Sequence, residues 1–303
     1  MSDLPGSNPV RVSLVIPARD EAANLPWVLH RVPAMVDEIV LVDGRSTDGT
    51  VEVARAVRPD IRVVHQEGRG KGDALRLGFH VAEGEHIVMI DADGSMCPSE
   101  IPRFVHLLEH GFDLVKGSRF ASGGGSTDIT ALRRVGNLAL LGLFNRLYTS
   151  PFTDLCYGYI AFHRRHLDRL DLTRPGFEVE AQLIISAIRA RLRVTEVGSL
   201  ESPRLCGDSN LRTFRDGSRV LRTVVGCHDS GLSGLAVQRL RSSVLRRPAY
   251  VPRRIEPLGA AGSPLQRLEQ GEHQEDRPDH PAQPGHAVQR NGRPAAPGAV
   301  PVA

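Results

Sequence analysis

The stretch His86-Ile-Val-Met-Ile-Asp-Ala-Asp-Gly-Ser95 decides how this chain is read. Ile87 to Ile90 are apolar without a polar alternate, the pattern of a strand covered on both faces. The run meets two carboxylates, Asp91 and Asp93, separated by the small Ala92, and closes on Gly94. A nucleotide diphosphate concentrates negative charge, and Mg²⁺ or Mn²⁺ bridges such a group to protein carboxylates while keeping some waters. As a Lewis acid the cation stabilises the diphosphate as it leaves. The same residues also spell a strand ending in an Asp-Gly turn, where both are common for conformational reasons. The surrounding pattern favours the metal.

On either side of this strand, short β-branched runs alternate with helical patterns. Val12–Pro17, Glu38–Val42, Ile61–His65, His86–Ile90 and Asp113–Gly117 read as strands, and Ala22–His30, Thr50–Val57, Lys71–Ala82 and Pro98–His110 as helices. Such an alternation predicts βαβ units and a buried parallel sheet. Its chemistry belongs at the carboxyl ends of the strands, near the topological switch point. The residues there are Pro17 to Glu21, Asp43, Gln66 to Lys71, Asp91 to Ser95, and Ser118 with Arg119. After a glycine-rich loop, the chain predicts a helix over Ala131–Tyr148, a strand over Tyr159–His163, a helix over Glu178–Arg191 and a strand over Val194–Ser199. Arg212 to Val225 completes the pattern as a last helix.

From about Gly231 the composition changes. Ten of the 21 prolines fall between Pro248 and Pro301, among Gly, Gln, His and Arg, with no apolar periodicity. A segment of that kind cannot bury enough surface to offset the entropy of ordering it. The expected organisation is a flexible stretch over 1–10, one α/β domain over 11–230 and a disordered tail over 231–303. The tail fits a regulatory segment or an accident of a GC-rich reading frame equally well.

Bulk properties exclude several classes. A net charge of +3 is too small to mark a nucleic-acid binder. Cys97, Cys156, Cys206 and Cys227 form no C-x-x-C pair, which argues for reduced thiols over a zinc site or disulfide framework. The first residues have neither a basic n-region nor an apolar h-region, and no run of about 20 apolar residues occurs. The expected location is the cytoplasm, or peripherally the inner face of the cell membrane.

The other strand ends supply further pieces. Asp43 in Ile39-Val-Leu-Val-Asp43 is placed to accept hydrogen bonds from a base or ribose, and Asp48 with Thr50 either caps the next helix or contacts ligand. Gly68-Arg-Gly-Lys-Gly72 offers open backbone and a cation for phosphates. In order, Ile16-Pro-Ala-Arg-Asp-Glu21, Val42-Asp-Gly-Arg-Ser-Thr-Asp-Gly-Thr50, Gly70-Lys-Gly-Asp-Ala-Leu-Arg-Leu-Gly78, Asp91-Ala-Asp-Gly-Ser95 and Lys116-Gly-Ser-Arg-Phe120 resemble the family 2 glycosyltransferases of GT-A fold. Within them they are most similar to the dolichyl-phosphate mannose synthase branch and its bacterial polyprenyl-phosphate relatives, over about Val12 to Val225. The resemblance implies a Rossmann-like, mostly parallel central sheet flanked by helices. It implies that Pro17, Ala18, Glu21 and Asp43 face the nucleoside, with Lys71 nearby, and that Asp91, Ala92, Asp93 and Ser95 surround the diphosphate and its Mg²⁺ or Mn²⁺. Two departures stand out: Gly44-Arg45 replaces a second acidic residue after the second strand, and Ser95 replaces a longer amide.

Arginines mark the acceptor end. Arg119 follows the fifth strand, Arg133 and Arg134 open a helix, and Arg204 precedes Gly207-Asp-Ser-Asn-Leu211. Guanidinium groups match phosphate geometry, so their convergence predicts a phosphate beyond those of the donor; singly, each also fits an exposed helix face. The resemblance carries Arg133 with Asn137, and Ser209 with Leu211, to the acceptor phosphate; Asn210 departs by replacing a lysine. Asp93, Arg119 and Glu180 are expected at the reaction centre. A phosphate acceptor is already ionised near neutral pH and needs no strong base, whereas a hydroxyl would need Glu178 or Glu180.

The predicted activity is metal-dependent, inverting transfer of a hexose from a UDP- or GDP-sugar to a polyprenyl phosphate at the membrane surface. A saccharide or small-molecule hydroxyl is the alternative acceptor. A non-catalytic sugar-nucleotide binder is a third possibility, motivated by Gly44-Arg45 and the tail. The segment Asn137 to Leu147, headed by arginines, fits either a core helix or a surface resting among lipid headgroups; a membrane partner protein would serve the same recruitment.

Overall fold

Five strands of the first half, Val12–Ala18 (β1), Glu38–Asp43 (β2), Arg62–His65 (β3), His86–Met89 (β4) and Leu114–Ser118 (β5), enter one sheet. Between them lie the helices Leu25–His30 (α1), Thr50–Val57 (α2), Lys71–Val81 (α3) and Ile101–Glu109 (α4). The chain continues through Gly125–Ser126 (β6), Ala131–Tyr148 (α5), Ile160–His163 (β7), Val179–Arg189 (α6), Val194–Gly198 (β8), Leu200–Glu201 (β9) and Thr213–Gln238 (α7). These elements come from a computed structural model that describes residues 11–207 and 213–238.

The seven-stranded sheet has the order β3-β2-β1-β4-β7-β5-β8. All strands are parallel except β7, which runs against both β4 and β5. This is the mostly parallel, helix-flanked GT-A arrangement. The period of two in each strand divides the core: Val15, Val40, Val42, Ile87 and Met89 face α3 and α6. Leu14, Ile16, Leu41, Val88 and Ile90 face α1 and α4. Burial on both faces explains why these strands lack polar alternates.

The chain leaves β1 toward β2 on one side and returns to it with β4 on the other, so the switch point lies between β1 and β4. Their carboxyl ends, Ala18 and Asp91, therefore flank the crevice where such sheets bind ligands.

Two helix starts, one short strand pair and the end of the last helix differ from expectation. The helix expected from Ala22 begins at Leu25, because residues 21–24 make a turn closed by Asn24 N–H on Glu21 O, and Pro26 then starts the helix. Pro98–Glu100 forms a 3₁₀ turn before α4 begins. The small pair β6-β9 was not anticipated, since two-residue strands leave no periodic signal. The last helix, α7, extends to Gln238. Residues 1–10, 208–212 and 239–303, including Ser209 and most of the tail, lie outside the described residues.

Candidate active site

The strand ends open onto a cavity of about 820 Å³. Asp91 and Asp93 reach it because β4 stops at Met89 and the chain turns at Gly94, whose φ of +79° places it in the left-handed region. The turn is tied by Ser95 N–H donating to Asp93 Oδ1 at 3.0 Å, so Asp93 keeps one oxygen for the loop while facing the cavity. Ala92 and Ser95 line the same wall.

Lys71, at the start of α3, forms ion pairs with both Asp91 and Glu180, the latter at 2.6 Å. Burial would lower the lysine's pKa, but these two carboxylates outweigh it and raise it, so the ammonium is retained. Burial pushes the Asp91 carboxyl up to about 6; Lys71 opposes the shift, while Asp93 and Glu180 reinforce it. Such a mixture of charges is what a charged ligand would rearrange. Gly158 makes the triad possible, because a Cβ there would lie 2.8 Å from Glu180 Oε1 and 3.0 Å from Lys71 Nζ.

Residues 201–206 run beside the Asp-Ala-Asp turn. Ser202 N–H donates to Ser95 O and Leu205 N–H to Asp93 O, at 2.9 and 3.2 Å. Arg204 is thereby carried into the cavity, where it pairs with Glu21 at 2.5 Å and lies 3.7 Å from Asp93. Burial raises the pKa of Glu21, opposed by its hydrogen bond from Asn24 and by Arg204.

Several expected positions stand differently. Arg119 lines the cavity, but each of its three guanidinium nitrogens already donates to protein: to Asp154, to Glu201 and to the Cys156 carbonyl. Asp154 and Glu201, which no motif flagged, thus make Arg119 a buried support of the wall. Asp43 is 4% exposed and spends its carboxylate on Ser46 N–H and His65, so it braces the β2–α2 loop without lining the cavity. Glu178 also stays out of the cavity wall, accepting from Gly176 N–H, whereas Glu180 lines it. Asp48 accepts from Ala22 N–H and Thr50 N–H, which gives it the structural role at the head of α2.

Pro17, Ala18, Glu21, Lys71, Arg133 and Arg204 all border the cavity. So does Asn137, which is 4% exposed. Its Oδ1 accepts from Cys156 N–H, and its buried Nδ2 has no hydrogen-bond partner among the described residues. A buried amide donor left unpaired costs about 1–3 kcal/mol unless a ligand or water takes it. The Arg133 guanidinium lies 3.8 Å from Asp128.

The donor set can be tested for a cation. Asp91, Asp93 and Ser95 offer only oxygen, and no group of three or more His, Cys, Asp or Glu side chains gathers into a metal cage among the described residues. Two carboxylates without imidazole or thiolate fit Mg²⁺ or Mn²⁺, which complete their shells with water and substrate phosphate.

A switch-point cavity with two strand-end carboxylates, in a mostly parallel sheet flanked by helices, defines a GT-A sugar transferase. The profile described as Glycosyl transferase family 2 matches residues 13–171, and the chain belongs to that family. It is therefore an enzyme, a glycosyltransferase. Glycosyltransferase AglJ of Haloferax volcanii is 32% identical over 214 residues, 69% of this chain and 69% of its own. The dolichyl-phosphate hexose transferase of the same organism is 27% identical over 217 residues, 71% of this chain and 92% of its own. Among solved structures, glucosyl-3-phosphoglycerate synthase from Mycobacterium tuberculosis, in complex with Mn²⁺, UDP and glucosyl-3-phosphoglycerate, superposes with a TM-score of 0.59. The two are 26% identical, over 76% of this chain and 87% of that one.

Proposed function

We propose that the enzyme transfers a hexose from a UDP- or GDP-sugar to a polyprenyl phosphate, with Mg²⁺ or Mn²⁺ held by Asp91, Asp93 and Ser95. The observation that carries this is a single cavity bordered both by the paired carboxylates and by Arg133, Arg204 and the unpaired amide of Asn137. The first set suits a cation-bridged diphosphate. The second offers donors to a further phosphate. The dolichyl-phosphate hexose transferase among the relatives supports a lipid-phosphate acceptor, and the Mn²⁺–UDP complex of the solved neighbour supports a cation-bridged nucleotide donor.

In this mechanism Pro17, Ala18 and Glu21 border the nucleoside, and Lys71 adds positive charge beside the diphosphate. Asp91, Asp93 and Ser95 would hold a cation that, when bound, would offset negative charge on the leaving diphosphate. Arg133 and Asn137 orient the acceptor phosphate, whose ionised oxygen attacks the anomeric carbon and inverts it. Glu180, held at 2.6 Å by Lys71, positions the sugar and is not needed to remove a proton.

A second reading keeps Glu180 as the base for a saccharide or small-molecule hydroxyl, since it faces the cavity. The two part in one assay with Mn²⁺, a panel of UDP- and GDP-sugars, and short polyprenyl phosphates or saccharides as acceptors. The lipid-phosphate mechanism is expected to yield a glycolipid, and Glu180→Gln to retain at least about a tenth of the rate, a smaller loss than the roughly hundredfold or more that one general base contributes. Product from saccharides alone, abolished by Glu180→Gln with nucleotide binding intact, would establish the hydroxyl mechanism instead.

A further inference from the structure

Three parallel strands, β1, β2 and β3, end side by side, with Ala18 opposite Asp43 and Asp43 opposite His65. Just beyond them the cavity wall is formed by Arg19, Gly44, Arg45, Gln66 and Arg69. No carboxylate lines the cavity on the β2 or β3 side among the described residues. The wall thus combines three arginines with one amide.

The amide is fixed. Gln66 is 7% exposed, and its Nε2 donates to Gly70 O at 2.8 Å and to Asp73 Oδ2 at 2.9 Å. Two acceptors consume both N–H groups, so the carboxamide cannot be turned round without facing oxygen with oxygen. Its Oε1 is directed toward Gly44, 3.3 Å from where a Cβ on that glycine would stand, and receives no hydrogen bond from the described residues. The same Cβ would lie 3.2 Å from Ala18 O and Arg19 Cβ, so the floor at Gly44 is closely packed. Arg45 adopts a left-handed φ of +66°, a strained choice for a non-glycine residue, and its guanidinium donates to Glu67 O, bridging the β2 and β3 loops.

We infer that this wall reads a uracil ring, with Gln66 Oε1 as the acceptor for the imide N3–H, so that the donor is a uridine diphosphate sugar. The inference rests on the cavity being the donor site. Uracil presents one N–H between two carbonyl oxygens, which calls for one acceptor flanked by donors. Guanine presents two adjacent donor groups, N1–H and N2–H₂, and calls for a second acceptor. No second side-chain acceptor lines this wall among the described residues: Gly44 has no side chain, and Asp43 is turned into the loop. Cytosine would set its N3 lone pair against Gln66 Oε1.

The test measures binding of UDP, GDP, CDP and 3-methyluridine diphosphate to the full chain by calorimetry with Mn²⁺ present. UDP is expected to bind about ten- to a hundredfold more tightly than the other three, the range set by leaving one buried acceptor unpaired. Gln66→Leu should erase the preference for UDP over 3-methyluridine diphosphate. The methylated analogue tests the N3–H contact on the unaltered protein, whatever the variant does to folding. Equal affinity for UDP and its methyl analogue, or a preference for GDP or CDP, would overturn the base assignment and leave the donor site standing. Binding of none of the four would overturn both.

Discussion

Asp91 and Asp93 were legible because a buried strand has few reasons to end in two acids, and their neighbours in the chain were also strand ends. Their partners were not. Lys71 and Glu180 are 109 residues apart in sequence, and nothing local announces that they meet over Asp91. Gly158 is the hidden term in that meeting. Gly158→Ala would bring a methyl group to 2.8 Å from Glu180 Oε1 and 3.0 Å from Lys71 Nζ, so the ends of both side chains would have to shift. Displacing them weakens a hydrogen bond between charged groups, worth about 1.5–3 kcal/mol, so this variant should melt earlier and lose about tenfold in transfer rate. Unchanged melting and unchanged kcat/KM would show that the triad is not held as described. Asp43 taught the opposite lesson: a strand-end acid can serve its own loop, and only hydrogen bonds to Ser46 and His65 reveal this.

At the scale of elements, the parallel strands and their helices were readable from period and length. The antiparallel direction of β7 was not, since direction depends on the path of a connection and not on local pattern. The helix α5 held two competing expectations, a core helix or one resting among lipid headgroups, and its buried face fits the first. Asn137, Leu141 and Phe144 are buried, while Leu132, Val135 and Leu138 are 57%, 65% and 49% exposed on a helix with no acidic residue. Arg134 and Arg146 are exposed on the same helix. No described helix is long and apolar enough to cross a membrane. Apolar side chains among arginines favour an anionic bilayer. The full chain is expected to sediment with vesicles containing acidic phospholipid, and a triple Leu132→Ser, Val135→Ser, Leu138→Ser variant to bind about tenfold or more weakly, given about 1.5 kcal/mol or more for each fully buried aliphatic side chain. Sedimentation that the triple variant leaves unchanged would assign membrane contact elsewhere.

Across the whole molecule, the chemistry is concentrated at one end of the sheet, and the opposite end carries a different ionisable cluster. His86, at the start of β4, is 2% exposed, its Nδ1 lacks a hydrogen-bond partner among the described residues, and its ring meets that of His163. Burial, with His163 and Arg165 nearby, pushes its pKa down to about 4 from 6.5. The unfolded chain therefore binds a proton that the folded chain refuses between those values, so stability is full above about pH 6.5 and falls as pH drops toward 4. The loss is about 3 kcal/mol. His163 and His166 are lowered as well and act in the same direction. Urea midpoints should fall between pH 7.5 and 4.5, and His86→Leu should flatten that fall; an equal slope in the variant would assign it to other groups. The most direct test of the donor site is Mn²⁺ binding followed by electron paramagnetic resonance, with and without UDP, in the wild-type chain and in Asp91→Asn and Asp93→Ala. Wild type is expected to form a ternary Mn²⁺–UDP complex that both variants lose by at least about a hundredfold, whereas equally tight ternary complexes in all three would contradict the assignment of Asp91 and Asp93 as the cation's anchor.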